Sequence, residues 1–355
     1  MSILARFLTR MILLRFAVIV LGLSAFVLTL EVVGFLTEVL RINANPLASV
    51  GLYCAARLPG VLTLFLPTSL LLALLLVMTE LSYRNELTAI WATGVSPARL
   101  ILKLLPMTVA IGLFHFLLMD QAVPYAATAL HSWGIGDYAT RKFKTAENEP
   151  IWVRSGNDII RAVRVSADGE TLQNVTLFRR EAGGQLLQEV FAESASQISG
   201  EWLLNNATTY YATGQAPSHT KQLSYSGVMR FANTKLVTPE EMPLSELSIF
   251  SANNGFGVRP VYVYDLWWQK RLTPFLVALV MVSLCIPLGT TFRRGGGLGN
   301  IFVAGVGLGF LYFVCDGLVT TLGEAGTLTP LLAAWGLPLL FGALALALLF
   351  RTDHV

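Results

Sequence analysis

The chain predicts an α-helical membrane protein with six transmembrane helices and an all-β, jelly-roll-like domain inserted between the third and fourth. Three observations predict it. The 355 residues are 54% hydrophobic and only 13% charged, with a mean hydropathy of +0.61, whereas soluble domains carry about 25% charged residues. Six apolar runs are long enough to span a bilayer. Between the third and fourth runs lies a polar stretch rich in short β-prone pieces.

The first run, 16–40, follows a start bearing Arg6, Arg10 and Arg15. A charged start before an apolar run is also the form of a secretory signal, but this run is too long and no small-residue cleavage site ends it. The second run is 58–78, with Pro59 and Pro67; the third is 100–123, expected to be broken at Pro106. From 124 to 265 the character changes. Pieces such as 159–165, 175–178, 188–191, 202–204 and 208–211 alternate with turn signals at Ser155–Asp158, Asp168-Gly169 and Gly183-Gly184, a strand-and-turn rhythm. It predicts a sandwich or jelly roll, with 239–260 as the linker back. Apolar runs resume at 272–291, 301–322 and 331–350, the first two separated by Arg293-Arg294-Gly295-Gly296-Gly297. The chain thus divides into 1–123, 124–265 and 266–355.

Basic residues in short loops set the orientation. With the N-terminus inside, the cytoplasmic side collects Arg6, Arg10, Arg15, Arg84, Arg99, Lys103, Arg293, Arg294 and Arg351, while the short outer loops hold Arg41 and Arg57. The β domain then faces outward, into a periplasm where the cell has two membranes. The net charge of +3 gives no pointer to nucleic acid.

Catalytic signals are sparse. No Gly-Lys pair occurs, so a Walker A loop is excluded, and no H-E-x-x-H or G-x-S-x-G motif is present. The three cysteines, Cys54, Cys285 and Cys315, have neither disulfide nor zinc spacing. Polar residues in the spans are the better leads, because burying them in lipid is costly. Glu31 and Glu38, with Arg41 beyond, form either a polar lip that handles a charged head group or an ordinary span end. Asp316 in the fifth span reads first as a structural partner for another helix; Asp120 and Glu80, near span ends, need no special role. Gly305, Gly307 and Gly309 give a small-residue packing surface. Phe302, Phe310 and Phe313 read as lipid-facing or core, and Tyr262, Tyr264, Trp267 and Trp268 as an interfacial belt.

The most patterned stretch is 80–97, ELSYRNELTAIWATGVSP, between the second and third runs. Read as a helix, Leu87, Ile90, Trp91 and Gly94 share one face. Glu86 suits its start, and Gly94 with Pro97 its stop. An amphipathic helix here either lies on lipid or fills a partner's groove.

The segment Arg84–Ser96, Pro67 in the second span, Gln269–Pro274, Trp152-Val153 and Glu201–Leu204 together resemble the LptF/LptG family of lipopolysaccharide-export permeases. The fifth span, with Gly307, Phe310, Tyr312 and Asp316, and the following 326–338 are more similar to the G-type than the F-type subunit. The resemblance implies an inner-membrane permease of an ABC transporter that binds no cofactor itself. It would pair with an F-type homologue, a cytoplasmic ATPase dimer that uses the ATP, and a single-span periplasmic bridge protein. Arg84, Glu86, Leu87, Ile90, Trp91 and Gly94 would form the ATPase-coupling helix, about 84–97, with Glu86 the polar anchor and Leu87, Ile90 and Trp91 filling the partner's groove. Lipopolysaccharide would enter between the first span of one subunit and the fifth of the other, along a path with Glu31, Phe35, Glu38, Arg41, Phe302, Phe310 and Phe313 as candidates. The family's first span is often basic at its outer end; Glu31 and Glu38 depart from that and leave Arg41 as the main basic candidate. Two other readings compete: an intramembrane enzyme acting on lipid-linked saccharides through Glu31, Asp120 or Asp316, and a scaffold that displays the β domain.

Overall fold

A computed structural model describes residues 3–138, 151–165, 171–181, 183–198, 201–226, 238–252, 259–291 and 298–353. The chain divides into a helical unit, Met1–Ala127 with Leu266–Val355, and a second unit, Thr128–Asp265.

The helical unit begins with α1 (Ile3–Gly34), a single turn α2 (Leu36–Val39) and α3 (Pro46–Tyr83). Asn45 caps α3 by accepting from the Leu47 amide, and Pro46 takes the first position, where a missing N–H costs nothing. At 1.5 Å per residue α3 is about 57 Å long, well beyond the ~30 Å of a hydrocarbon core. Its C-terminal end carries α4 (Glu86–Ala92). Helix α5 (Pro97–Leu117) passes through a π-turn at Leu118–Ala122 into α6 (Val123–Trp133). Pro106 sits inside α5 without ending it, so the expected break is absent. The return runs through α8 (Val261–Leu272), α9 (Pro274–Thr291), α10 (Leu298–Glu324) and α11 (Pro330–Asp353), after α7 (Leu244–Ala252) in the second unit. Among the described residues five helices are long and apolar enough to cross a membrane, six when α8 and α9, bent by 52°, count as one span.

Helices α3 and α9 form the centre. In the most apolar window of each helix, 56% of α3 is buried but only 28% of α1 and 17% of α10. The core joins Leu8, Ile12 and Phe16 of α1 with Leu70, Leu74 and Met78 of α3, Leu104 of α5, Leu284 of α9 and Phe341 of α11. Helix α10 lies on α3 through glycines: a Cβ at Gly305 would stand 2.2 Å from Leu75 Cδ1, and one at Gly309 2.8 Å from Leu71 Cδ2. The small-residue surface is thus used within the chain, and Gly307 meets nothing.

In the second unit, β1 (Ile151–Ser155), β2 (Asp158–Ala162), β3 (Arg164–Val165), β4 (Thr171–Arg180), β5 (Leu186–Ile198), β6 (Glu201–Tyr211) and β7 (Ser218–Tyr225) form one antiparallel sheet. Its order is β1-β2-β4-β5-β6-β7, with β3 beside β4. The expected β domain is present, and its described strands pair along the chain without a crossover. Its core gathers Leu172, Leu177, Val190, Leu204 and the fully buried Trp202. Tyr225 closes it, donating to Asp158 Oδ2 at 3.0 Å. Burial pushes the Tyr225 phenol up to about 12; the Ser155 hydrogen bond opposes this and the Asp158 carboxylate adds to it.

Candidate functional site: the α4 loop and the charged joints

The loop after α3 is held at both ends by backbone geometry. Asn85, before α4, has φ 59°, a left-handed conformation that asparagine tolerates better than most residues. Gly94, after α4, has φ 79°, where a Cβ would be strained. Ser96 then caps α5 by accepting from the Arg99 amide at 3.3 Å, and Arg99 Nη1 donates to the Gly94 carbonyl at 3.2 Å. The expected start and stop coincide with this geometry, although the helix itself has only seven residues.

Its faces differ from expectation. Leu87 is 2% exposed and belongs to the protein's own core, with Trp91 packed against that core. The Trp91 indole N–H is shut in, with no hydrogen-bond partner among the described residues. Leu87 therefore has no surface left to fill a groove elsewhere; Leu87 and Trp91 mark the side that grips the bundle, while Ile90 is half-buried and Gly94 exposed. The outward face is Thr88, Ala89, Ala92 and Thr93, flanked by half-buried Glu86 and Ile90. Glu86 has no ion pair among the described residues, whereas Arg84, just ahead of α4, reaches Glu80 Oε1 at 2.8 Å. Arg15 of α1 pairs with the other oxygen of Glu80. An open groove of about 440 Å³ lined by Arg15, Leu76, Thr79, Glu80 and Tyr83 runs beside this pair.

Near the opposite end of α1, Arg57 Nε and Nη2 donate to Glu31 at 2.9 and 3.0 Å, and Tyr53 Oη donates to Glu31 Oε2 at 3.4 Å. Arg57 was expected in an outer loop. Because α3 begins eleven residues before it, Arg57 lies inside a helix, and Glu31 is committed to it. Phe35 interrupts the chain between α1 and α2, so the first span ends at Gly34 rather than Leu40. Phe35 and Arg41 are exposed and Glu38 is half-buried. Phe310 and Phe313 are exposed on α10; the side chain of Phe302 lies outside the described residues, as do Arg293–Gly297.

Helix α8 carries three polar ties. Lys270 Nζ donates to Asp316 of α10 at 2.8 Å, and Trp267 Nε1 to Glu324 of α10 at 2.8 Å. Trp335 Nε1 of α11 donates to Gln269 at 2.8 Å. Asp316 thus has the structural partner expected of it, while Trp267, read as an interfacial anchor, is 9% exposed and tied inward. Sequence reasoning missed Arg57, Lys270 and the Arg15–Glu80 pair. Only Glu80 and Arg84, four residues apart, left a signal along the sequence. In the second unit, buried His131 Nε2 meets Glu241 Oε2 at 2.8 Å. Burial alone would raise the Glu241 carboxyl, but hydrogen bonds from His131 and Thr238 outweigh it and hold the carboxyl below its ordinary value.

A bundle of membrane-spanning helices that is interrupted by a β domain and binds its peripheral helices through charged joints is a multi-pass membrane protein in architecture. The chain belongs to the lipopolysaccharide export system permease LptF/LptG family, whose model matches residues 6–351. It is 22% identical over 317 residues to the lipopolysaccharide export system permease protein LptG of Escherichia coli K12, covering 83% of this chain and 81% of the relative. LptG of E. coli O6:H1 (strain CFT073) matches to the same extent.

Proposed function

We propose that this chain is the G-type permease subunit of an ABC transporter, which draws lipopolysaccharide out of the inner membrane and passes it to a periplasmic bridge. The family and both relatives support the export role, and the relatives favour the G-type. A lipid with several acyl chains loses about 0.8 kcal/mol per methylene brought into water, so extraction needs an energy source and a sheltered route. The chain carries no Walker A loop, and the energy comes from an ATPase dimer docked in the cytoplasm. The basic-residue count supports an inward α4 and a β domain in the periplasm.

The observation that carries this reading is the α4 loop: a rigid, short helix pinned to the bundle by Leu87, which presents small side chains and the carboxylate of Glu86 outward. The ATPase meets Glu86, Ile90, Thr88, Ala89 and Ala92. Lipopolysaccharide enters beside α1 and α10, the two helices with the most exposed apolar surface, using an F-type homologue for the other half of each opening. Phe35, Glu38, Arg41, Phe302, Phe310 and Phe313 then lie along the route, with Glu31 reached through its Arg57 partner.

Purification of the chain with its ATPase tests the docking. Ala89→Asp and Glu86→Ala abolish co-purification while the permease inserts and folds normally. Retention of the ATPase by both variants refutes the docking face. Leu87→Asp discriminates less, because it damages the core first.

A further inference from the structure

We propose that Glu80 is a positioning residue that transmits movement of the α4 loop to α1. The proposal rests on the docking of an ATPase at α4 argued above. Three elements meet at this carboxylate. Glu80 belongs to the last turn of α3; Arg84, its partner at 2.8 Å, is one of only two residues between α3 and α4; and Arg15, its other partner, is on α1. The chain therefore runs from the docking helix through Arg84 to Glu80, and from Glu80 across to α1 by charge.

The linker cannot easily absorb a push. Arg84 closes α3, its amide donating to the Glu80 carbonyl at 3.0 Å. Asn85 fixes a left-handed turn, and Leu87 anchors α4 into the core that also contains Leu8, Ile12 and Phe16 of α1. A displacement of α4 is passed on as rotation at the end of α3 rather than lost in a slack loop. On its outer side the Arg15–Glu80 pair borders an open groove of about 440 Å³, so the pair ties α1 to the end of α3 by charge beside the packed seam of Ile12 and Phe16. The Arg15 and Glu80 side chains are 25% and 28% exposed, against 61% for Arg84. The inner pair is therefore the better shielded from water and salt. Helix α1 is also the helix with an exposed apolar flank at Leu14, Val18 and Leu21, so it has somewhere to move.

The experiment reconstitutes the complete complex in proteoliposomes and reads ATP hydrolysis and lipid extracted in one preparation. Glu80→Gln, which keeps shape and removes charge, leaves hydrolysis within twofold and lowers lipid extracted per ATP at least fivefold. The triple exchange Arg15→Glu, Glu80→Arg and Arg84→Glu restores at least half of that ratio, an outcome a merely structural role would not give. An unchanged ratio in Glu80→Gln overturns the proposal, as does a loss of hydrolysis and extraction in step with no rescue by the exchange. Failure of the unaltered complex to hydrolyse ATP or extract lipid counts instead against the transporter reading.

Discussion

Replacing Gly305 by alanine tests how α10 is held. The new Cβ would lie 2.2 Å from Cδ1, 2.8 Å from Cδ2 and 3.0 Å from Cγ of Leu75, where carbon atoms settle at about 3.5–4.0 Å. The leucine tip must retreat by more than about 1 Å, and tips can swing. Leu75 is 0% exposed, however, and interiors packed to a density of about 0.74 hold no spare room. Overpacking of this kind costs about 1–3 kcal/mol. Leu75→Ala alone would cost about 2–5 kcal/mol in a water-soluble core, and less here, since the separated helices would leave the leucine in lipid. The double variant puts one methyl where the tip was and so costs less than the sum, by about 1–3 kcal/mol. Unfolding of the detergent-solubilised chain, followed for the two single variants and the double, gives that coupling directly. Gly307→Ala, whose Cβ meets nothing within 4 Å, serves as the neutral control. Additivity within about 0.5 kcal/mol, or a costly Gly307→Ala, would refute the close contact of α10 with α3.

Two further joints make distinct predictions. Glu241 has a folded pKa below its ordinary value, so between its unfolded value of about 4.3 and that lower value the unfolded state binds more protons. Stability is therefore present above pH ~4.3 and is lost as pH falls through the folded value. Protection factors of the 238–252 segment, measured exchange corrected for the intrinsic rate at each pH, fall on acidification through that window, Glu241→Gln flattens the dependence, and an unchanged slope contradicts the role of the His131–Glu241 contact. Arg57→Leu leaves Glu31 without its bidentate donor and destabilises the chain by about 1.5–3 kcal/mol. Adding Glu31→Gln recovers most of the loss in the same unfolding assay, and absence of recovery shows that the pair is not a unit.

Much of the fold was legible because lipid imposes long apolar runs, and strands separated by glycine and asparagine turns announce a β domain. Boundaries were less legible. Composition placed Arg57 outside the second span, since a charge normally ends an apolar run. The α3 helix absorbs it because Glu31 on α1 satisfies it, and a pairing across 26 residues leaves no local trace. Leu87 and Trp91 of the α4 stripe were expected in a partner's groove and pack instead on the chain's own core: periodicity tells which side chains share a face, never whether each meets the protein's own core or another molecule. Lys270 was hidden for the same reason as Arg57, since Asp316 lies 46 residues away. Phe310 and Phe313 were read as lipid-facing or core, and both are exposed, a choice that composition alone leaves open.

The charged joints follow from the physics of helices in lipid. Between transmembrane helices no hydrophobic force remains, since lipid solvates leucine as well as protein does. A peripheral helix is therefore held by close packing or by polar ties. Helix α10 uses both, glycines on α3 and Lys270 on Asp316. Helix α1 lacks such glycine contacts, and its buried residues Leu8, Ile12, Phe16, Val20, Ser24 and Leu28 recur every four positions, a seam one residue wide that winds about the helix. Its polar ties stand apart: Glu80 holds Arg15 and Arg57 holds Glu31, sixteen residues or about 24 Å along the helix. A rod on a narrow seam with a tether near each end can rock when one tether is moved, while the other sets the pivot. If the far tether is that pivot, Arg57→Leu abolishes the difference in lipid extracted per ATP between the unaltered complex and Glu80→Gln; if the difference survives, α1 does not rock about Glu31.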